Sequence, residues 1–95
     1  SRDYLTNEVA PTIKSGSRVY IYGHTDKLGK DNVNLDLSSS RANETKQMLQ
    51  EALNARGIKN VKIIAKGMGE LDPPFSNDLP EGRMYNRAVI VDVLQ

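Results

Sequence analysis

Apolar and polar positions along the 95-residue chain change period several times, and each change marks an element. Leu5, Val9 and Ile13 recur every four residues, which predicts a short helix from Asp3 to about Lys14. Pro11 sits inside that stretch, lacks an amide donor and crowds the preceding turn, so the helix kinks there or ends near Ala10. Ser15-Gly16-Ser17 is the break that follows. In Arg18–Tyr22 (RVYIY) the period drops to two, with Val19 and Ile21 on one face and Tyr20 and Tyr22 on the other. Both faces are largely apolar, which predicts a strand inside a sheet. Gly23 then lets the chain turn or lets a neighbour approach closely.

The stretch Lys27–Leu37 reads as a polar loop, because it holds Gly29, Asp31, Asn32, Asn34 and Asp36. A helical period resumes with Ala42, Thr45, Leu49, Ala52 and Leu53. It predicts a helix from Ser39 to about Arg56, capped by Ser38 and stopped by Gly57 at C′. Val61–Lys66 is a second strand and Ala88–Leu94 the last one. Between them Leu71–Asn86, with Pro73, Pro74, Pro80 and Gly82, reads as a long loop. The order helix, strand, helix, strand, strand predicts an α/β two-layer sandwich with helices on one face of a mixed sheet. Three strands are thin cover for two helices, so a further strand is expected upstream or from elsewhere.

Composition narrows the function without naming it. A hydrophobic content of 38% suffices for the core of one domain spanning 1–95. A net charge of +1 without runs of like charge gives no long-range field, so nucleic acid is not an expected partner. The absence of cysteine excludes disulfides, thiolate zinc sites and a cysteine nucleophile. No apolar run approaches the roughly 20 residues of a membrane helix, and no signal-peptide pattern is present. The chain opens on Ser1 without an initiator Met, so it is expected to be a piece of something longer.

The candidate chemistry lies in two opposite charges. Asp26 leaves the first strand and Arg41 enters the second helix. If the helix starts where the strand stops, both face one small space at one edge of the sheet, and that arrangement suits a zwitterion. Asp26 accepts hydrogen bonds from an ammonium group, and Arg41 grips a carboxylate with two parallel donors. Free N–H groups of Ser38–Arg41, as the expected first helical turn, add to anion binding. Without a ligand the same residues make a salt bridge, and Asp26 alone is a common loop cap. His24 and Asp26 lack a third metal ligand, so neither metal nor cofactor is expected. The cluster Ser38–Ser40 has no G-x-S-x-G elbow, so no catalytic residue is expected. Gly67-Met68-Gly69 lacks the lysine-bearing phosphate-loop pattern. Tyr20 and Tyr22 read as core, and Pro73-Pro74-Phe75 as a surface insertion.

GHTD at Gly23–Asp26, N-x-x-L-S-x-x-R-A at Asn34–Ala42, GMGE-x-x-P at Gly67–Pro73 and NR at Asn86–Arg87 together resemble the OmpA-like peptidoglycan-binding domain. That domain occurs at the C terminus of OmpA-type porins, in Pal lipoproteins and in stator proteins of the MotB type. The motifs follow the family's order and cover nearly the whole chain. The resemblance implies a β-α-β-α-β-β fold, of which this chain lacks the opening strand and the pocket-lining loop after it. It implies non-covalent, non-catalytic binding of peptidoglycan through the meso-diaminopimelate of the stem peptide, anchoring an envelope protein to the cell wall. Asp26 then matches the key acid and Arg41 the key base. Thr25, Asn34 and Leu37 match supporting positions, and Arg87 matches the first arginine of the family's NRR motif. Ala88 replaces the second arginine, which implies weaker or differently tuned docking. The implied location is the periplasm, with attachment to the outer or inner membrane through a parent segment outside this chain. The alternative is a structural or dimerisation domain of an envelope complex, a homodimer with the same fold and a lapsed pocket.

Overall fold

The computed structural model describes residues 2–25, 31–71, 82–86 and 88–95. Its helical opening changes pitch twice: an α-helical turn, α1 (Arg2–Tyr4), a π-helical stretch Leu5–Val9, and a 3-10 turn Ala10–Thr12. The change to the tighter pitch coincides with Pro11, which has no N–H to give to the preceding turn. Thr12 instead donates its Oγ1 proton to the Val9 carbonyl at 2.7 Å. The expected stripe holds, since Leu5, Val9 and Ile13 are all buried.

Strand β1 (Arg18–Gly23) follows, then helix α2 (Asp31–Ala55), β2 (Lys62–Gly67), β3 (Gly82–Asn86) and β4 (Val89–Leu94). The sheet order is β2-β1-β4-β3. β1 runs parallel to β2 and antiparallel to β4, and β3 runs antiparallel to β4. The α/β sandwich is therefore as expected, and β1 is an inner strand. The sheet has four strands among the described residues, where three were expected. Gly82–Asn86, read from sequence as the end of a loop, is a strand because its backbone pairs residue by residue with Val89–Val93 of β4. Gly and Asn are poor strand formers in isolation, and tertiary pairing overrides that preference here. The rest of the expected loop, residues 72–81, lies outside the described residues.

The largest departure concerns α2. The polar stretch after β1 was expected to stay a loop up to Leu37, but the helix already starts at Asp31. Asn34 and Ser38 are buried and continue the stripe of Ala42, Thr45 and Leu49 at helical spacing. A reading that counts only apolar residues misses two turns of helix whose inward face is polar. At the other end the expected stop is in place. Gly57 adopts φ +72° and donates to the Asn54 carbonyl, while Ile58 donates to the Leu53 carbonyl at 3.0 Å.

The core lies between α2, the opening helical segment and one face of the sheet. Leu5 and Val9 meet Leu49 and Leu53 of α2, and below them lie Val19 and Ile21 of β1 and Val91 and Val93 of β4. Tyr20 and Tyr22 take the opposite face, with ring centroids 6.4 Å apart and planes within 9° of parallel. There Arg83 grips Asp92 with two hydrogen bonds of 2.6 Å.

Candidate functional site

The site forms where the two parallel strands end beneath α2. Gly23 of β1 and Gly67 of β2 are partners in register. A Cβ at Gly23 would collide with the Ser38 carbonyl, and one at Gly67 would collide with Ser39. Glycine at both positions lets the helix lie directly on the strand ends. The chain then leaves β2 in a tight turn, Met68-Gly69-Glu70-Leu71, closed by Leu71 N–H to the Met68 carbonyl at 2.9 Å. Gly69 has φ +59° in this turn, a conformation side-chain-bearing residues rarely adopt.

That turn is tied down from both sides. Gly69 N–H donates to Ser38 Oγ at 2.8 Å, and Ser38 Oγ donates in turn to the Leu35 carbonyl at 2.9 Å. On the strand side, Thr25 N–H donates to the Gly69 carbonyl at 2.7 Å and His24 Nδ1 lies 3.1 Å from the Leu71 carbonyl. Ser38 was expected to cap a helix. It is an interior helix residue, and its hydroxyl joins helix to turn.

Arg41 was expected in the first helical turn, among free N–H groups. With α2 starting at Asp31, it lies ten residues further on, where backbone donors are taken by the helix itself. The helix terminus therefore adds nothing to anion binding at Arg41. Its side chain does lean to the strand end: Nη1 donates to the His24 carbonyl at 3.1 Å, and the residue stays exposed. Its remaining guanidinium donors are those a carboxylate would use.

Of the other expected site residues, Thr25 follows directly on His24, and its Oγ1 is buried with no hydrogen-bond partner among the described residues. His24 Nε2 is in the same condition. Unpaired buried polar atoms are uncommon and costly, so their clustering beside Arg41 sets this corner apart. Leu37 is on the surface of α2, one turn before Arg41. Asn34 is buried and lines a groove of 220 Å³ together with Asp31, Leu35, Met68, Glu70 and Leu71. Asp26 and Arg87 lie outside the described residues. The structure thus brings Thr25 and Arg41 to one corner through His24, sets Leu37 on Arg41's side of the helix and turns Asn34 inward.

The sequence reading passed over His24 as an anchor for Arg41, Ser38 as the bridge and the Met68–Leu71 turn as a wall. Their signals were present in GHTD and GMGE, where glycines at paired strand ends announce a close approach. Among the described residues no helix is long and apolar enough to cross a membrane.

Comparison with known proteins gives the family. The OmpA family model matches residues 3–87. The peptidoglycan-binding protein ArfA of Mycobacterium tuberculosis is 38% identical over 94 residues, covering 96% of this chain and 28% of that protein. Outer membrane porin F of Pseudomonas aeruginosa is 38% identical over 73 residues, covering 77% of this chain and 20% of the porin. Outer membrane protein A of Klebsiella aerogenes is 40% identical over 81 residues, covering 85% of this chain and 21% of that protein. The chain thus spans less than a third of the length of each of these relatives. With a family model covering most of its length and the motif glycines sitting where the fold needs them, the chain belongs to the OmpA family.

Proposed function

We propose that this domain binds peptidoglycan non-covalently through the diaminopimelate of the stem peptide and so anchors a longer envelope protein to the cell wall. In this reading residues 1–95 are one binding domain of that protein, working in the periplasm. Membrane attachment comes from its other parts. The observation that carries the proposal is the reach of Arg41 to the His24 carbonyl, which sets a guanidinium beside the exit of β1, two residues before Asp26. The unpartnered hydroxyl of Thr25 adds a neutral donor at the same corner. The peptidoglycan-binding relative, aligned over 96% of this chain, supports the same ligand.

The side-chain end of diaminopimelate carries an ammonium and a carboxylate on one carbon. Arg41 takes the carboxylate in a fork of N–H donors, and Asp26 takes the ammonium. Leu37 and Asn34 border the site, and Arg87 serves the neighbouring part of the stem or glycan. Charged hydrogen bonds contribute about 1.5–3 kcal/mol each. Two or three of them give roughly micromolar to millimolar affinity after the costs of association. That suffices for a tether which meets a polymer at many points. The mode is binding alone, with no bond made or broken.

The test is co-sedimentation with purified sacculi, comparing wild type with Asp26→Ala and Arg41→Ala at matched thermal stability. Loss of binding in both variants supports the proposal. Undiminished binding in both overturns it and favours a dimerisation domain of the same fold.

A further inference from the structure

The exposed large aliphatic residues of α2 are confined to its site end. Val33 is 55% exposed, Leu35 48% and Leu37 43%. Beyond Arg41 the exposed positions of the helix are Asn43, Glu44, Lys46, Gln47, Glu51 and a last-turn stretch, with no large apolar side chain among them. Leu35 faces the flank where it lines the groove with Leu71. Val33 and Leu37 instead fall at four-residue spacing with Arg41, on one stripe of the helix.

We infer that Val33, Leu37 and Arg41 form a single binding rail, along which the stem peptide lies with its carboxylate at Arg41 and its aliphatic parts against Leu37 and Val33. This rests on the reading of Arg41 given above. It extends the contact surface one helical turn from Leu37 to Val33, the residue just before the motif Asn34–Ala42, and makes Val33 a residue that selects for peptide over free amino acid. Three observations fix the occupant. The cation at one end of the stripe calls for an anion there. The two aliphatic side chains call for methyl and methylene groups next to it. The eight helical steps from Val33 to Arg41 span about 12 Å along the helix axis, which an extended peptide of about three to four residues covers. A lone diamino acid held at Arg41 does not reach Val33, whereas a stem with alanine methyl groups does.

The rail is tested by NMR titration of backbone amides with two probes, free meso-diaminopimelate and the tripeptide L-alanyl-γ-D-glutamyl-meso-diaminopimelate. Val33→Thr keeps the side-chain shape and replaces one methyl by a hydroxyl at an exposed helix position, so thermal stability serves as its folding control; Leu37→Ala is the second variant. Each variant is expected to weaken tripeptide binding, Val33→Thr by about fivefold, and Val33→Thr to leave the free amino acid unaffected. Arg41→Ala weakens both probes. If Val33→Thr and Leu37→Ala leave the tripeptide unchanged while Arg41→Ala weakens both probes, the rail is wrong and the Arg41 site stands. If Val33→Thr weakens both probes equally, it acts through Arg41 and the rail is likewise wrong. If Arg41→Ala changes neither probe, the site itself is wrong and the rail falls with it.

Discussion

The hydroxyl of Ser38 joins two parts of the chain that are far apart in sequence: it accepts the backbone N–H of Gly69 at 2.8 Å inside the protein. This one atom fixes the β2 exit turn against α2. The turn in turn holds Thr25 through the Gly69 carbonyl and His24 through the Leu71 carbonyl. Ser38→Ala leaves the Gly69 donor buried without a partner, which costs about 1–3 kcal/mol. Urea denaturation should show that loss, and amide exchange at Gly69 should accelerate. Exchange at Gly69 as slow as in wild type would mean that the bond does not hold the turn.

Gly23 carries a second constraint on the same corner. An alanine methyl there meets the Ser38 carbonyl, which is backbone of a helix and cannot swing away. Gly23→Ala should therefore destabilise the fold by about 1–3 kcal/mol through overpacking, and it should also displace α2 from the strand ends. Gly16→Ala is the comparison, because a methyl there meets nothing within 4 Å and only the positive φ of +87° opposes it. Gly23 is not among the glycines of positive φ, so a Gly23→Ala variant as stable as wild type would show that the helix gives way at no cost, while Gly16→Ala reports the cost of φ alone.

These two positions also mark where the sequence was legible and where it was not. Apolar periodicity located β1, β2, β4 and the C-terminal half of α2, because each buries aliphatic side chains on a regular face. It failed over Asp31–Leu37, where the one buried residue is the polar Asn34 and the aliphatic Val33, Leu35 and Leu37 are exposed along with Asp31, Asn32 and Asp36, unlike an ordinary surface helix. Helix α2 needs polar side chains there because it lies over backbone groups of a turn rather than over a core. The same inversion concealed the true position of Arg41 in the helix. Arg41 nevertheless reaches the strand end that carries the GHTD motif, through the His24 carbonyl. β3 escaped notice since Tyr85 is the only strong strand former in Gly82–Asn86, and pairing with β4 supplies the rest.

Far from the site, Arg83 and Asp92 are partners in register on neighbouring strands and share two hydrogen bonds of 2.6 Å. Asp92 is only 5% exposed, and its hydrogen bond is the main reason the Arg83 guanidinium holds its proton more tightly than usual. Arg83→Met strands a buried carboxylate and should cost about 2–4 kcal/mol, a little under a fully buried pair because Arg83 is partly exposed. Adding Asp92→Leu should restore most of that loss, since the paired apolar residues no longer carry an unmatched charge. A double variant as unstable as Arg83→Met, measured by urea denaturation, would show that strand packing rather than charge sets the cost.

Tyr22 gives a pH signature for the same face of the sheet. Burial raises its phenol above the ordinary value of 10.0, and the nearby Asp92 carboxylate and Tyr20 raise it further, against a smaller lowering by Arg83. The folded protein therefore holds this proton more tightly than the unfolded chain does. The resulting stability is fully present below about pH 10 and is lost as pH rises through the folded value. Tyr22→Phe cannot ionise, so its stability should fall less steeply above pH 10 than that of wild type. Thermal midpoints measured in steps from pH 8 to pH 11 isolate the effect, because the other lysines and tyrosines titrate in both proteins. Parallel curves for the two proteins across that range would show that ionisation of Tyr22 does not oppose folding.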